Sequence, residues 1–182
     1  MCDALFAYNH AEWYVNQVLA QADLYRGAPI SGSGQALELP SVASVRELLR
    51  SPNLILTRPA SQRGDLVRRE IDRRVVAILQ ALVRRHRITI TSLKSDHSLY
   101  TASGNISNHA LGRAVDIAAV DGQPCDGSRV GACGQLAIEL VRMPLRVRPT
   151  ELIYAFDADG SSAQAFADPV DHSDHIHVGF DG

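Results

Sequence analysis

The chain is poor in sulfur, in aromatic residues and in lysine. Its 182 residues include three cysteines, one tryptophan and 5% aromatics, and Lys94 is its single lysine, every other basic chain being an arginine. Cys2, Cys125 and Cys133 form no Cys-x-x-Cys spacing, which argues against a cysteine-ligated structural zinc. No apolar run approaches the ~18–20 residues a membrane helix needs, so no membrane span is expected. The opening Met1-Cys2-Asp3-Ala4-Leu5-Phe6 lacks the basic and long apolar regions of a signal peptide, and an export signal is expected outside this chain. A net charge of −2 and a pI near 6.4 remove the global electrostatic case for nucleic acid or anionic membrane as partner.

What is present suits a folded domain. Hydrophobic residues make up 46% and charged residues 21%, and the length allows one domain with a core plus a short appendage. Arginines crowd residues 58–87, but Asp65, Glu70 and Asp72 sit among them at helical spacings, the pattern of a solvated, ion-paired face. Cys125 and Cys133 bracket a glycine-containing loop; they are either a disulfide of an oxidising compartment or two thiols, and spacing alone does not decide.

Residues 11–25 carry Tyr14, Val18, Leu19 and Ala22 at helical spacing, and residues 27–40 are rich in glycine, serine and proline. The expected organisation is therefore a helical segment over 1–26, a linker over 27–40 and a main domain over 41–182. Within the latter, helices are predicted over 42–50, 65–86 and 134–141. The long middle helix places Leu66, Ile71, Val75, Ile78, Leu79 and Leu82 on one side. Short strands are predicted over 54–57, 88–91, 114–120, 152–156 and 175–180. This succession implies an α+β fold, an antiparallel sheet backed by helices.

The chemistry gathers in the strand-rich half, with His97, His109, His172, His175 and His177. Alternate residues of a strand project to one side, so His175 and His177 can address one point. Asp116 lies in an otherwise apolar strand, where a carboxylate is costly unless it is paired or ligating. His109 and Asp116 are seven apart, so a shared site needs a bend between them, which Gly112 can supply. A turn over 110–112 would bring His109, Asp116 and His177 together as three ligands of a divalent ion with a fourth position open.

The string Ser107-x-His109-x-x-Gly112-x-Ala114-x-Asp116, followed by Asp174-His175-Ile176-His177, resembles the D-alanyl-D-alanine carboxypeptidase and endolysin family of zinc peptidases, which shares its fold with lysostaphin and the hedgehog amino-terminal domain. The rhythm of His172, His175 and His177 is also similar to that of the penicillin-insensitive murein endopeptidase. The resemblance covers residues 88–180. It implies one Zn²⁺ per chain on His109, Asp116 and His177, with Asp174 and His175 catalytic; the proton acceptor is Asp174, Asp171 or His175. The family's usual arginine is replaced by Ser92-Leu93-Lys94-Ser95, and Lys94 and Ser107 are the candidate substrate-binding residues. Residues 4–25 resemble the closing helix of lytic transglycosylase domains, which implies that the chain is part of a larger wall-degrading enzyme.

The expected function is hydrolysis of peptide bonds in the stem peptides or cross-bridges of bacterial peptidoglycan, by an extracytoplasmic monomer. The alternatives are an inactive zinc-containing module that binds wall polymer or protein, and a histidine-containing domain without metal.

Overall fold

Short runs of β-branched and aliphatic residues, bounded by polar or glycine-containing turns, pair into a seven-stranded sheet. The computed structural model describes residues 42–101, 104–145, 147–161 and 164–181. The predicted amino-terminal helix and the linker lie outside the described residues. The described elements are α1 (Val42–Arg50), β1 (Leu54–Leu56), α2 (Pro59–Val67), α3 (Arg73–Val83), β2 (Ile88–Ser92), β3 (Ala114–Val120), β4 (Gln123–Pro124), α4 (Ala132–Val141), β5 (Glu151–Tyr154), β6 (Ala165–Ala167) and β7 (Ile176–Gly179).

The sheet runs β1-β2-β3-β7-β5-β6, with β4 paired to the end of β3. Its centre is antiparallel, as expected, but its two margins are not: β1 pairs parallel to β2, and β5 parallel to β6. The fold is therefore α+β with a mixed sheet. Parallel neighbours need a crossover connection, and α2 and α3 supply it between β1 and β2.

The predicted helix over 65–86 is likewise corrected, because it is two helices. Arg69 takes φ +60, which ends α2, and Asp72 starts α3 by accepting the Arg74 amide at 2.8 Å. Asp72 is an N-cap residue by type, and a fresh helix start competes with continuation there. The expected apolar side survives the break, since Leu66, Ile71, Val75, Ile78, Leu79 and Leu82 are all buried in the core. The arginine-rich stretch is ion-paired: Arg68 lies 3.0 Å from both Asp65 and Glu70, Arg74 lies 2.9 Å from Asp72, and Arg85 meets Glu139.

On one face of the sheet Val115, Ile117, Ile176, Val178 and Leu152 join the helical core. Strand alternation then sends Asp116 and His177 to the opposite face. Cys125 and Cys133 form a disulfide with Cα atoms 5.3 Å apart, tying the loop after β4 to α4. No helix among the described residues is long and apolar enough to cross a membrane.

The break between α2 and α3 is also a contact surface. Gly112 has φ +69, its carbonyl accepts the Asp72 amide at 2.7 Å, and a Cβ placed on it would lie 1.9 Å from the Glu70 carbonyl oxygen. Only glycine fits both demands. Gly112→Ala is expected to cost about 3 kcal/mol or more, from a left-handed backbone and a backbone clash together; a denaturant midpoint within error of wild type would refute this.

Candidate metal centre

Asp116 is the one charged residue of β3, and the ladder sets it directly opposite His177 of β7. Directly opposed residues of an antiparallel pair stand close enough for their side chains to touch, so two of the three predicted ligands meet through strand register alone. The third arrives by the predicted bend. The Gly112 amide donates to the His109 carbonyl and the Arg113 amide to the Asn108 carbonyl, both at 2.8 Å, which folds His109 back over the start of β3.

The three donor atoms converge. His109 Nε2 lies 3.0 Å from Asp116 Oδ1 and 3.2 Å from His177 Nδ1, and His177 Nδ1 lies 3.1 Å from Asp116 Oδ1. Two ligands of a tetrahedral zinc at its usual bond lengths are ~3.3 Å apart, so this triangle has the dimensions of one face of such a site. All three residues are buried, at 0%, 4% and 7% exposure for His109, Asp116 and His177.

The outer atoms of both imidazoles are fixed by neighbours. His109 Nδ1 donates to the Leu93 carbonyl at 2.6 Å, which leaves the Nε2 lone pair facing the triangle. His177 Nε2 lies 3.0 Å from Glu151 Oε1, without hydrogen-bond alignment, so this is a charge contact. Glu151 is itself held by Asn108, whose amide donates to Oε2 at 2.7 Å. Gly179 keeps room for the arrangement, since a Cβ there would stand 3.0 Å from His177 Nε2. Partners of this kind orient metal-binding histidines from the second layer.

Electrostatically the triangle attracts a positive charge. Burial disfavours ionising Asp116, but the proton on His177 Nδ1, 3.1 Å away, outweighs it and holds the carboxyl far below its usual range. Burial lowers the His109 pKa, so that ring is neutral at physiological pH. Burial also opposes charge on His177, but Asp116 and Glu151 overcome it and raise its pKa to about 9. The neighbouring His177 in turn lowers the Glu151 carboxyl. In the metal-free protein a proton on His177 therefore supplies the cation that the cluster requires.

His97 joins from the loop between β2 and β3. Its ring stacks on His109 with centroids 4.0 Å apart and 12° between planes. His97, His109 and Asp116 form a group that could hold a metal ion, their ligand atoms all lying within 4.8 Å of one another.

The remaining site residues fall into separate places. Asp174 sits in the turn entering β7, 83% exposed at its side chain, with Oδ1 2.7 Å from His175 Nδ1. The His175 ring lies 4.7 Å from that of His172, whose Nδ1 is 2.9 Å from Asp168. Lys94 lies 3.5 Å from Glu70 through its ammonium. Ser107 is buried, and its hydroxyl accepts the His109 amide at 3.2 Å, so it shapes the turn that carries His109. Sequence reasoning gave no role to His97 or Glu151. Its one usable signal for His97 was a histidine in the segment leading to the His109 motif; Glu151 opens a strand and carries no motif.

No protein-family model matches this chain, and neither does any curated protein or solved structure.

The raised pKa of His177 has a consequence for stability. The folded value of about 9 lies above the ordinary 6.5, so the contribution is fully present below pH ~6.5 and is lost as pH rises through 9. Chelator-treated protein should show a Tm that falls over this window, and saturating Zn²⁺ should abolish the fall by taking the proton's place. Parallel Tm profiles with and without metal would contradict it.

Proposed function

We propose that this chain is a zinc-dependent peptidase that hydrolyses peptide bonds in the stem peptides or cross-bridges of bacterial peptidoglycan. The observation that carries the metal is the triangle of His109 Nε2, Asp116 Oδ1 and His177 Nδ1, with sides of 3.0–3.2 Å and both imidazoles turned by their outer partners to face it. The substrate class comes from the sequence resemblance, whose motif residues are the same three. The Cys125–Cys133 disulfide supports an extracytoplasmic setting, since such bonds persist under oxidising conditions.

His109, Asp116 and His177 hold the ion, and Glu151 and the Leu93 carbonyl orient the two rings. Zinc there supplies Lewis acidity toward a scissile carbonyl and acidifies water. Asp174 accepts from His175 Nδ1, which leaves His175 Nε2 to take the proton during attack and return it to the leaving amine. Asp174 is then a positioning residue, and His175 the proton carrier. Asp171 has no role in this scheme.

Mass spectrometry of fragments released from purified peptidoglycan, with and without chelator, tests the proposal. Chelator-sensitive release of stem peptides is expected, and a filled metal site without release would establish a binding module instead. His109→Ala and His177→Ala should lose both metal and hydrolysis. Asp174→Ala and His175→Ala should keep stoichiometric zinc and lose at least about 100-fold in turnover. Full turnover in both variants would move the proton transfer to another group.

A further inference from the structure

His97 has a placement that the three-ligand centre does not use. It lies on a loop pinned on both sides of it. On one side the Leu93 amide donates to Asp96 at 2.7 Å, and the Lys94 and Ser95 amides donate to the fully buried Asp65 at 3.2 and 2.9 Å. On the other, the Ser107 amide donates to the Leu99 carbonyl at 3.0 Å. Between these anchors the His97 ring rests flat on His109 while the residue stays exposed. Its Nδ1 is taken by the Ser98 carbonyl at 3.0 Å, with Ser107 Oγ at 3.5 Å, so in the neutral ring Nε2 carries the available lone pair.

We infer that His97 is a fourth, displaceable protein ligand, which closes the metal centre at rest and yields its position to substrate. The inference rests on the metal centre proposed above and adds a resident to its open corner. Proximity supports ligation: the ligand atoms of His97, His109 and Asp116 lie within 4.8 Å of one another, wider than the ~3.3 Å between two zinc ligands, and the exposed His97 closes the difference by turning its ring off His109. Exposure supports displacement. His109, Asp116 and His177 are buried and would leave unpaired donors behind if released, whereas the His97 ring returns to water at little cost. A closed resting centre would shield the ion from adventitious ligands, and substrate would have to compete with an imidazole of the same chain for entry.

The test is X-ray absorption on the zinc-loaded chain, which counts imidazoles around the metal, together with zinc affinity measured against a competing chelator. Wild type should show three imidazoles, and His97→Ala and His97→Gln should show two, with one zinc still bound about 10- to 100-fold more weakly. Free imidazole should restore the third in His97→Ala. A saturating stem peptide should lower the wild-type count to two. Identical spectra and affinities in wild type and both variants would overturn the inference and leave the three-ligand centre standing. Three imidazoles retained under saturating peptide would overturn displacement. Failure of wild type to bind stoichiometric zinc would overturn the inference and the centre together.

Discussion

The constraint on which the rest of this structure depends is that buried donor atoms facing one point need a positive charge at that point. Asp116, His109 and His177 present an ionised oxygen and two imidazole nitrogens within 3.2 Å of each other at 7% exposure or less. Water cannot reach them freely enough to solvate the carboxylate, and an unpaired buried carboxylate is among the most costly features a fold can carry. A proton on His177 meets the demand in the metal-free protein, and a divalent ion could meet it instead. The His109 lone pair, fixed by the Leu93 carbonyl, and the Glu151 carboxylate beside His177 suit either occupant.

The scaffold enforces the convergence through connections that look unrelated in sequence. The break between α2 and α3 exposes the Glu70 carbonyl and the Asp72 amide, against which Gly112 packs, and Gly112 closes the turn that delivers His109. From the same helix α2, Asp65 accepts amides of residues 94 and 95, while Gln62 reaches Asp96 at 2.7 Å. That loop presents the Leu93 carbonyl that sets the His109 tautomer. Two buried polar residues of one helix thus support a site on the far side of β2, and each hydrogen bond is satisfied within the protein, so it adds rigidity without an orphaned group.

Much of this was legible in the sequence, for identifiable reasons. The strand at Ala114–Val120 and the helix at Val42–Arg50 have the predicted bounds, because the first is a short apolar run closed by the Asp121-Gly122 turn and the second repeats its apolar residues at helical spacing. The cluster of His109, Asp116 and His177 was accessible because an aspartate among aliphatic residues is anomalous and because a glycine stood where a bend was needed. The split in the helix is hidden in the sequence because apolar periodicity continues through the break, and Asp72, an N-cap residue by type, is its one local signal. The parallel margins were missed because residues 54–57 and 88–91 were not read as one β-helix-β unit. The Asp121-Gly122 turn, both residues at positive φ, marks the β3–β4 hairpin in plain sight. Glu151 and His97 had no such marker, since their roles come from register and loop closure and not from spacing.

The distribution of exposure among the site residues separates holding from exchange. Residues that keep the cation in place are buried on both sides of the ladder, where losing a partner is expensive. Those that would handle protons or incoming groups, His97 and the Asp174–His175 pair, lie on connections at its rim, where water replaces a lost partner. Exposed imidazoles beside a buried triangle are the division that the proposed peptidase requires, with a fixed centre and mobile groups around it.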